Sequence, residues 1–404
     1  MNPDPHTALH QKAFAGGGYN ARFIHLHPPT MISQLLGGLT AEQFLQEYWQ
    51  KKPLLVRNAV PGFTGLIARD DLLDLASEED SEVRLVEFKD ETWEVARSPF
   101  RPKDIRKKRK HPWTILVQGL NLMVPEADAF MRRFDFIPWA RLDDLMVSYA
   151  VDQGGVGPHY DDYDVFLIQG LGKRRWQIGP QEDKTLIEDA PLKILKNFKP
   201  VEDWTLEPGD LLYLPPTWAH NGIAIGECTT YSVGFRTPRA QELATEFLTY
   251  LQERIEIPGI YADPDLKLQA HPGEINDAMV AQVADMIAKV RWDQDDVRNF
   301  LGCYLSEPKP QIYFDTPEER LSRKKFLATC AKQGLALDAR TQFLFSGDGF
   351  FMNGEVEEVA ETDREAFRVL ADRRRLEGND GLSAPALDLL YDWYCDGFLH
   401  PAAS

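Results

Sequence analysis

The chain has 404 residues, 43% of them hydrophobic and 11% aromatic, which sets it among folded proteins and above the size of one ordinary core. Its formal net charge of -18 argues against a general nucleic-acid coat, which needs concentrated Lys and Arg, and suits a basic partner. Cys228, Cys303, Cys330 and Cys395 form no C-x-x-C unit, against a thiolate zinc site, and no apolar run of about 18 residues offers a membrane span.

Residues 1–30 carry no signal-peptide core, since Ala13–Tyr19 is short and Gly-rich; a loose N-terminal extension and a cytoplasmic location are expected. Thr40-Ala41-Glu42-Gln43 is a capping box opening a helix with Phe44, Leu45, Tyr48 and Trp49 on one face. Pro53 stops it, and Leu54-Leu55-Val56 reads as a buried strand. From there to Arg236, short apolar runs alternate with turn residues: Thr114–Val117, Asp144–Val151, Tyr163–Gln169, Arg175–Ile178, Asp210–Leu214 and Thr229–Phe235. Many short strands with Gly and Pro punctuation predict a mainly β domain, a double-sheet jelly roll or barrel. Gly170-Leu171-Gly172-Lys173 reads as a hairpin loop joining two of these strands.

Helical spacing takes over after Pro238. Leu243, Phe247 and Leu251 share one face, and Ile275, Met279, Val280, Val283, Met286, Ile287 and Val290 make a long apolar stripe. Such a stripe faces a core in the ordinary case; the alternative is a dimer seam. In the last hundred residues Gly347-Asp348-Gly349 predicts a hairpin turn, Thr362 with Glu365 a capping box, and Ser383 the start of a final helix. Helices around a small hairpin fit a winged-helix-like α+β module. Residues 315–400 hold 17 acidic against 11 basic residues, so this module suits an interaction or structural role rather than DNA binding. The expected units are 1–30, a catalytic domain 31–236, a helical dimerisation region 237–300 and the winged-helix-like domain 301–404.

The chemistry centres on Gly157-Pro158-His159-Tyr160-Asp161. Residues two apart on a strand point to the same side, so His159 and Asp161 face the barrel interior together. Pro215-Pro216-Thr217-Trp218-Ala219-His220 supplies His220 as a third ligand. Two imidazoles and one carboxylate leave cis positions open on Fe(II), as an oxygenase with a bidentate co-substrate requires. Alone, H-x-D is weak, and its plain reading is a His satisfied by a neighbouring acid; the distal His and the Gly-rich turn strengthen it. Lys173-Arg174-Arg175-Trp176 opens the following strand and can turn one cation inward toward the distal carboxylate of 2-oxoglutarate. The plain alternative is a basic cluster at a surface turn.

Residues 144–235 resemble the Jumonji-C (cupin) ribosomal oxygenases, and most the bacterial arginine hydroxylase branch. The likeness rests on Gly154–Asp161, Tyr163–Phe166, Gln169-Gly170, Arg174–Trp176, Pro215–His220 and Tyr231–Phe235, and extends over about residues 31–400 through the order barrel, helical region, winged helix. It implies iron on His159, Asp161 and His220, with Arg174 anchoring 2-oxoglutarate. The family's helping hydroxyl falls on Ala150 here, leaving Ser148, on the same strand face, as the candidate. The implied reaction couples oxidative decarboxylation of 2-oxoglutarate to hydroxylation at an arginine β-carbon of a basic large-subunit ribosomal protein. A guanidinium in the site wants a carboxylate: Asp152 is the first candidate and Ser232 a second partner, while Asp162 and Asp164 read as solvated or structural. Asp152 reads equally well as a turn residue. Arg106–Lys110 reads as a solvated loop, with ribosomal RNA contact as the alternative.

Other readings stay open at this level: a ribosomal-protein histidine hydroxylase, a demethylase, a metal-binding cupin that only binds, and a cupin enzyme without 2-oxoglutarate. Histidine does not call for a buried carboxylate, and an inward Arg174 has no use in the last.

Overall fold

The computed structural model describes residues 29–78, 81–107 and 109–402. The expected N-terminal extension therefore lies almost wholly outside the described residues.

Eleven strands build the first domain: β1 (Leu54–Val56), β2 (Val83–Lys89), β3 (Thr92–Arg97), β4 (Trp113–Val117), β5 (Leu142–Ala150), β6 (Val165–Gln169), β7 (Lys173–Pro180), β8 (Glu202–Leu206), β9 (Leu211–Leu214), β10 (Trp218–Ile225) and β11 (Cys228–Phe235). They form an eight-stranded sheet in the order β1-β9-β6-β11-β5-β4-β2-β3 and a three-stranded sheet β10-β7-β8. This is the jelly roll the strand pattern predicts. Its layers follow from the two-residue period of a strand. Leu145, Val147 and Tyr149 of β5, with Tyr231, Val233 and Phe235 of β11, belong to the main core beneath the large sheet. Phe44 closes that core, stacking edge-on to Tyr213 at 5.0 Å and meeting Phe166 at 5.5 Å. Its helix Ala41–Glu47 carries the expected capping box, Thr40 Oγ accepting from Gln43 N while Gln43 accepts from Thr40 N. Truncating Phe44 to alanine would cost about 3–5 kcal/mol. The alternate residues of the same strands, Asp144, Met146, Ser148 and Ala150 on β5 and Thr230, Ser232 and Gly234 on β11, turn toward the barrel interior.

The chain changes sheets at four points. The Gly170–Gly172 loop is one of them, and the hairpin expected there does not form: β6 pairs with β9 and β11, whereas β7 pairs with β8 and β10. Sheet membership is set by these distant partners, not by the turn. Gly172, at φ +63°, packs so closely on the β10–β11 crossing that a Cβ would stand 2.0 Å from Glu227 O. The other crossings are Glu207–Asp210, between β8 and β9, Pro215–Thr217, before β10, and Gly226-Glu227, after it.

Helix Ala240–Gln252 forms where its periodicity predicts. Helix Asp277–Ile287 carries the apolar stripe, but the core-facing expectation is overturned. None of its residues is buried, and Met279, Val280, Val283 and Ile287 are all exposed. Helix Gln294–Ser306 packs on the sheet β13 (Phe343–Ser346), β14 (Gly349–Met352) and β15 (Glu355–Glu357). A further sheet, β16 (Arg375–Leu376), β12 (Leu335–Leu337) and β17 (Leu399–Pro401), completes the module around a second core that includes Phe326, Phe367, Leu390 and Trp393. The β13–β14 turn lies at Gly347-Asp348, as expected. The Thr362 capping box does not form: the N-cap of helix Arg364–Arg373 is Asp363. Its carboxylate instead accepts from Ser383 N at 2.9 Å and Ser383 Oγ at 2.6 Å, at the start of helix Ala384–Cys395. No described helix is long and apolar enough to cross a membrane.

Candidate active site

His159, Asp161 and His220 come together with their ligand atoms within 4.8 Å of one another. The segment is not the regular strand expected for His159 and Asp161. It meets β10 through a single antiparallel bridge, in which His159 N donates to His220 O at 3.0 Å and His220 N to His159 O at 2.7 Å. That bridge puts the imidazole centroids 4.2 Å apart, and Asp161 Oδ2 stands 3.6 Å from His220 Nε2. A second tie, Thr217 N to Asp161 O at 2.8 Å, holds the acid's backbone against the turn before β10. Thr217 takes φ +68° there, a strained conformation for a β-branched residue. Gly157 makes the approach possible: it sits at φ +79°, and a Cβ would lie 2.7 Å from Ile194 and 2.9 Å from Trp93.

Each imidazole is oriented by a backbone carbonyl two residues upstream. His159 Nδ1 donates to Gly157 O at 2.9 Å and His220 Nδ1 to Trp218 O at 3.0 Å. A carbonyl only accepts, so both rings carry their proton on Nδ1 and aim an Nε2 lone pair into the site, as metal-binding histidines do. Burial, with His159 adding to it against the pull of Asp161, lowers His220 to about pKa 4. The donor set therefore fits a divalent metal at neutral pH.

Arg174, on β7, is buried with 5% exposure inside the barrel. Its Nη1 donates to Ser148 Oγ at 3.2 Å, while Nε and Nη2 are buried without a hydrogen-bond partner. Its neighbours in the basic run point outward, Lys173 to Glu207 and Arg175 to Asp203. A buried cation with open donors is costly unless an anion meets it, so the site fits a carboxylate. Ser148 donates to Thr230 O at 3.4 Å, and Ala150 faces the same interior without a hydroxyl.

The structure does not bring Asp152 to this group. Its carboxylate is exposed and accepts from Gly226 N at 2.7 Å, six register positions along β10 from His220, which is roughly 20 Å of strand. Ser232 is buried on β11 opposite Met146 and faces inward. Two residues from Met146 on the same face lies Asp144, which the sequence offered only as the start of a strand. It is buried, accepts from Gly119 N at 3.0 Å, and burial raises its carboxyl above the usual range. Partial burial, with the Asp161 and Asp144 carboxylates adding to it, pushes the Tyr163 phenol up. Asp164 and Asp162 are structural: the first accepts from Tyr213 Oη at 2.6 Å and Gln50 Nε2 at 2.8 Å, the second pairs with Arg239 at 2.5 Å. In the Arg106–Lys110 run, Arg106 pairs with Asp70 and Asp74 and Arg109 with Glu87, which leaves fewer cations for RNA.

Comparison with known proteins agrees with this geometry. Residues 129–243 match the JmjC domain family and residues 289–400 the ROXA-like winged helix family. The chain is 34% identical over 315 residues to ribosomal protein uL16 3-hydroxylase of Escherichia coli (strain K12), covering 77% of this chain and 84% of that protein. It is 42% identical over 235 residues to a probable ribosomal oxygenase of Haemophilus influenzae, covering 57% and 56%. The solved structure of YcfD, a ribosomal oxygenase from Escherichia coli in complex with cobalt and 2-oxoglutarate, superposes with a TM-score of 0.76 at 32% identity, over 89% of this chain and 98% of that one. The chain belongs to the JmjC-domain ribosomal oxygenases.

Proposed function

We propose that this chain is an Fe(II)- and 2-oxoglutarate-dependent hydroxylase acting on the β-carbon of an arginine in a uL16-type ribosomal protein. The observation that carries the reading is that one pair of strands, β7 and β10, sets a buried guanidinium with open donors beside the metal triad. Register places Arg174 opposite Ala224 and His220 opposite Ile178, so the two positions are roughly 13 Å apart along the strands. A short dicarboxylate bound at the triad by one end and to Arg174 by the other suits that span. When bound, the metal and 2-oxoglutarate supply the oxidising chemistry. The protein's part is to fix both imidazoles by their Nδ1 protons, hold the distal carboxylate and orient the substrate.

We assign the substrate guanidinium to Asp144, with Ser232 beside it, in place of Asp152. Asp144 has a cation nearby already, since Lys309 sits 3.0 Å from Asp143 and draws on both carboxylates. The cleft there, about 270 Å³, is lined by Glu78, Glu82, Asp143, Asp144 and Asp315 against Arg236, Lys309 and Arg340, an acidic excess of two that suits a basic protein. Histidine would not call for this buried acid, so the geometry favours arginine. Helix Asp277–Ile287 is proposed as the seam of a homodimer, the second copy covering its apolar face. A ribosomal substrate is met in the cytoplasm, where we place the chain.

The test offers the protein, with Fe(II) and 2-oxoglutarate, a uL16 fragment and a histidine-bearing fragment of another basic ribosomal protein. A mass gain of one oxygen on the uL16 arginine, absent with His159→Ala, is expected. Gain on the histidine alone would replace the arginine reading, and gain on neither would overturn it.

A further inference from the structure

We propose that Thr114 is a second anchor for the distal carboxylate of 2-oxoglutarate, supplied by β4 because β5 offers only Ala150 at that level of the barrel. The inference rests on the co-substrate reading above and adds a residue to it.

Thr114 is fully buried, yet its Oγ1 has no hydrogen-bond partner. A threonine on a strand is ordinarily a good β-former whose hydroxyl finds a carbonyl, so a buried one with no protein partner calls for an explanation. Register places it. Thr114 stands directly opposite Ala150, as Leu116 stands opposite Ser148, so Thr114, Ala150 and Ser148 share the inward face of adjoining strands. Thr114 and Ser148 are thus diagonal neighbours, roughly 7–8 Å apart at Cα. Ser148 Oγ holds Arg174 Nη1 at 3.2 Å. Ala150 packs with Ala224 and Cys228, and Ala224 is the register partner of Arg174 on β10. Ala150 and Ala224, between the two in register, carry no side chain beyond a methyl group.

Buried donors without partners therefore stand on the inward faces of β4 and β7: Thr114 Oγ1, Arg174 Nε and Nη2 and, two residues along β7, Trp176 Nε1. They ask for an acceptor with several lone pairs, and a carboxylate has about four. The division of labour follows: Ser148 is a positioning residue that fixes the guanidinium, and Thr114 touches the co-substrate.

The test is calorimetric titration of 2-oxoglutarate into full-length protein loaded with Mn(II), for wild type, Thr114→Val and Thr114→Ser. Valine keeps the shape and removes the hydroxyl; serine keeps the hydroxyl. Thr114→Val is expected to weaken 2-oxoglutarate roughly ten-fold, the worth of one charge-assisted hydrogen bond, while Thr114→Ser stays near wild type. Mn(II) affinity and the melting temperature without 2-oxoglutarate should not fall in either variant. Equal affinity of Thr114→Val and wild type would overturn the proposal, and so would equal weakening by Val and Ser, which would show the methyl group at work. Absence of binding to wild type would fell the co-substrate reading itself, a distinct result that takes this anchor with it.

Discussion

The barrel interior and the helix Asp277–Ile287 depart from the ordinary burial rule in opposite directions. Inside the barrel, Arg174 and Thr114 are buried with donors that meet nothing. On the helix, Val280 at 54% and Ile287 at 64% exposure leave apolar surface in water. Each buried unsatisfied donor costs about 1–3 kcal/mol, and each exposed aliphatic forgoes a similar 1.5–3 kcal/mol of burial. The two departures are comparable in energy but not in what they say. Unpaired donors name the chemistry of their partner, an anion of fixed geometry. An apolar face names only an area, which is why the barrel identifies a co-substrate and the helix supports no more than a second copy.

The largest effect expected on this comparison comes from removing a metal ligand. His220→Ala should reduce peptide hydroxylation to background, with metal content of the purified protein falling alongside it. Arg174→Met comes next. It should weaken 2-oxoglutarate by roughly 100-fold or more, since breaking a buried charge pair costs about 3–5 kcal/mol, and leave Mn(II) uptake intact. The melting temperature without co-substrate should hold or rise, because a buried cation with open donors has been replaced by an apolar side chain; a fall of several degrees would show Arg174 to be a fold residue instead. Val280→Asp puts a charge in the proposed seam, and light scattering should then show the dimer mass of wild type give way to the monomer; a wild-type monomer would sink the seam outright.

The smallest effect is on pH. His220 is lowered from 6.5 to about 4 by burial, so between those values the unfolded chain binds a proton that the folded one does not. Stability of the metal-free protein should therefore fall as pH drops from about 6.5, by on the order of 3 kcal/mol, and this contribution is fully lost below pH 4. Above 6.5 it should not vary. Urea midpoints across that range, compared with His220→Asn, would show the variant's slope to be shallower.

The metal site was legible in the sequence because its residue types, not their neighbours, carry the chemistry. His159, Asp161 and His220 are few, and their spacing suits one site. Arg174 was legible from the basic run after the Gly turn, and its inward pose follows from strand alternation. The sheet crossing at Gly170–Gly172 was not, because sheet membership depends on partners up to 69 residues away, as Val165 is from Gly234. Asp152 misled by position: an acid near the Gly turn invites a role, but its carboxylate is taken up by the Gly226 backbone. Asp144 and Thr114 went unseen for the opposite reason, since an acid at a strand start and a threonine in a strand look ordinary until their burial is known. The stripe on 275–290 gave its own face correctly, while periodicity cannot say what covers it.

The most direct measurement counts both products of one reaction. Protein with Fe(II), 2-oxoglutarate and a uL16 fragment should form succinate and hydroxy-arginine in equal amounts, with oxygen located on the β-carbon by tandem mass spectrometry. Bound metal and co-substrate with neither product formed, or succinate with the arginine unchanged, would contradict the account.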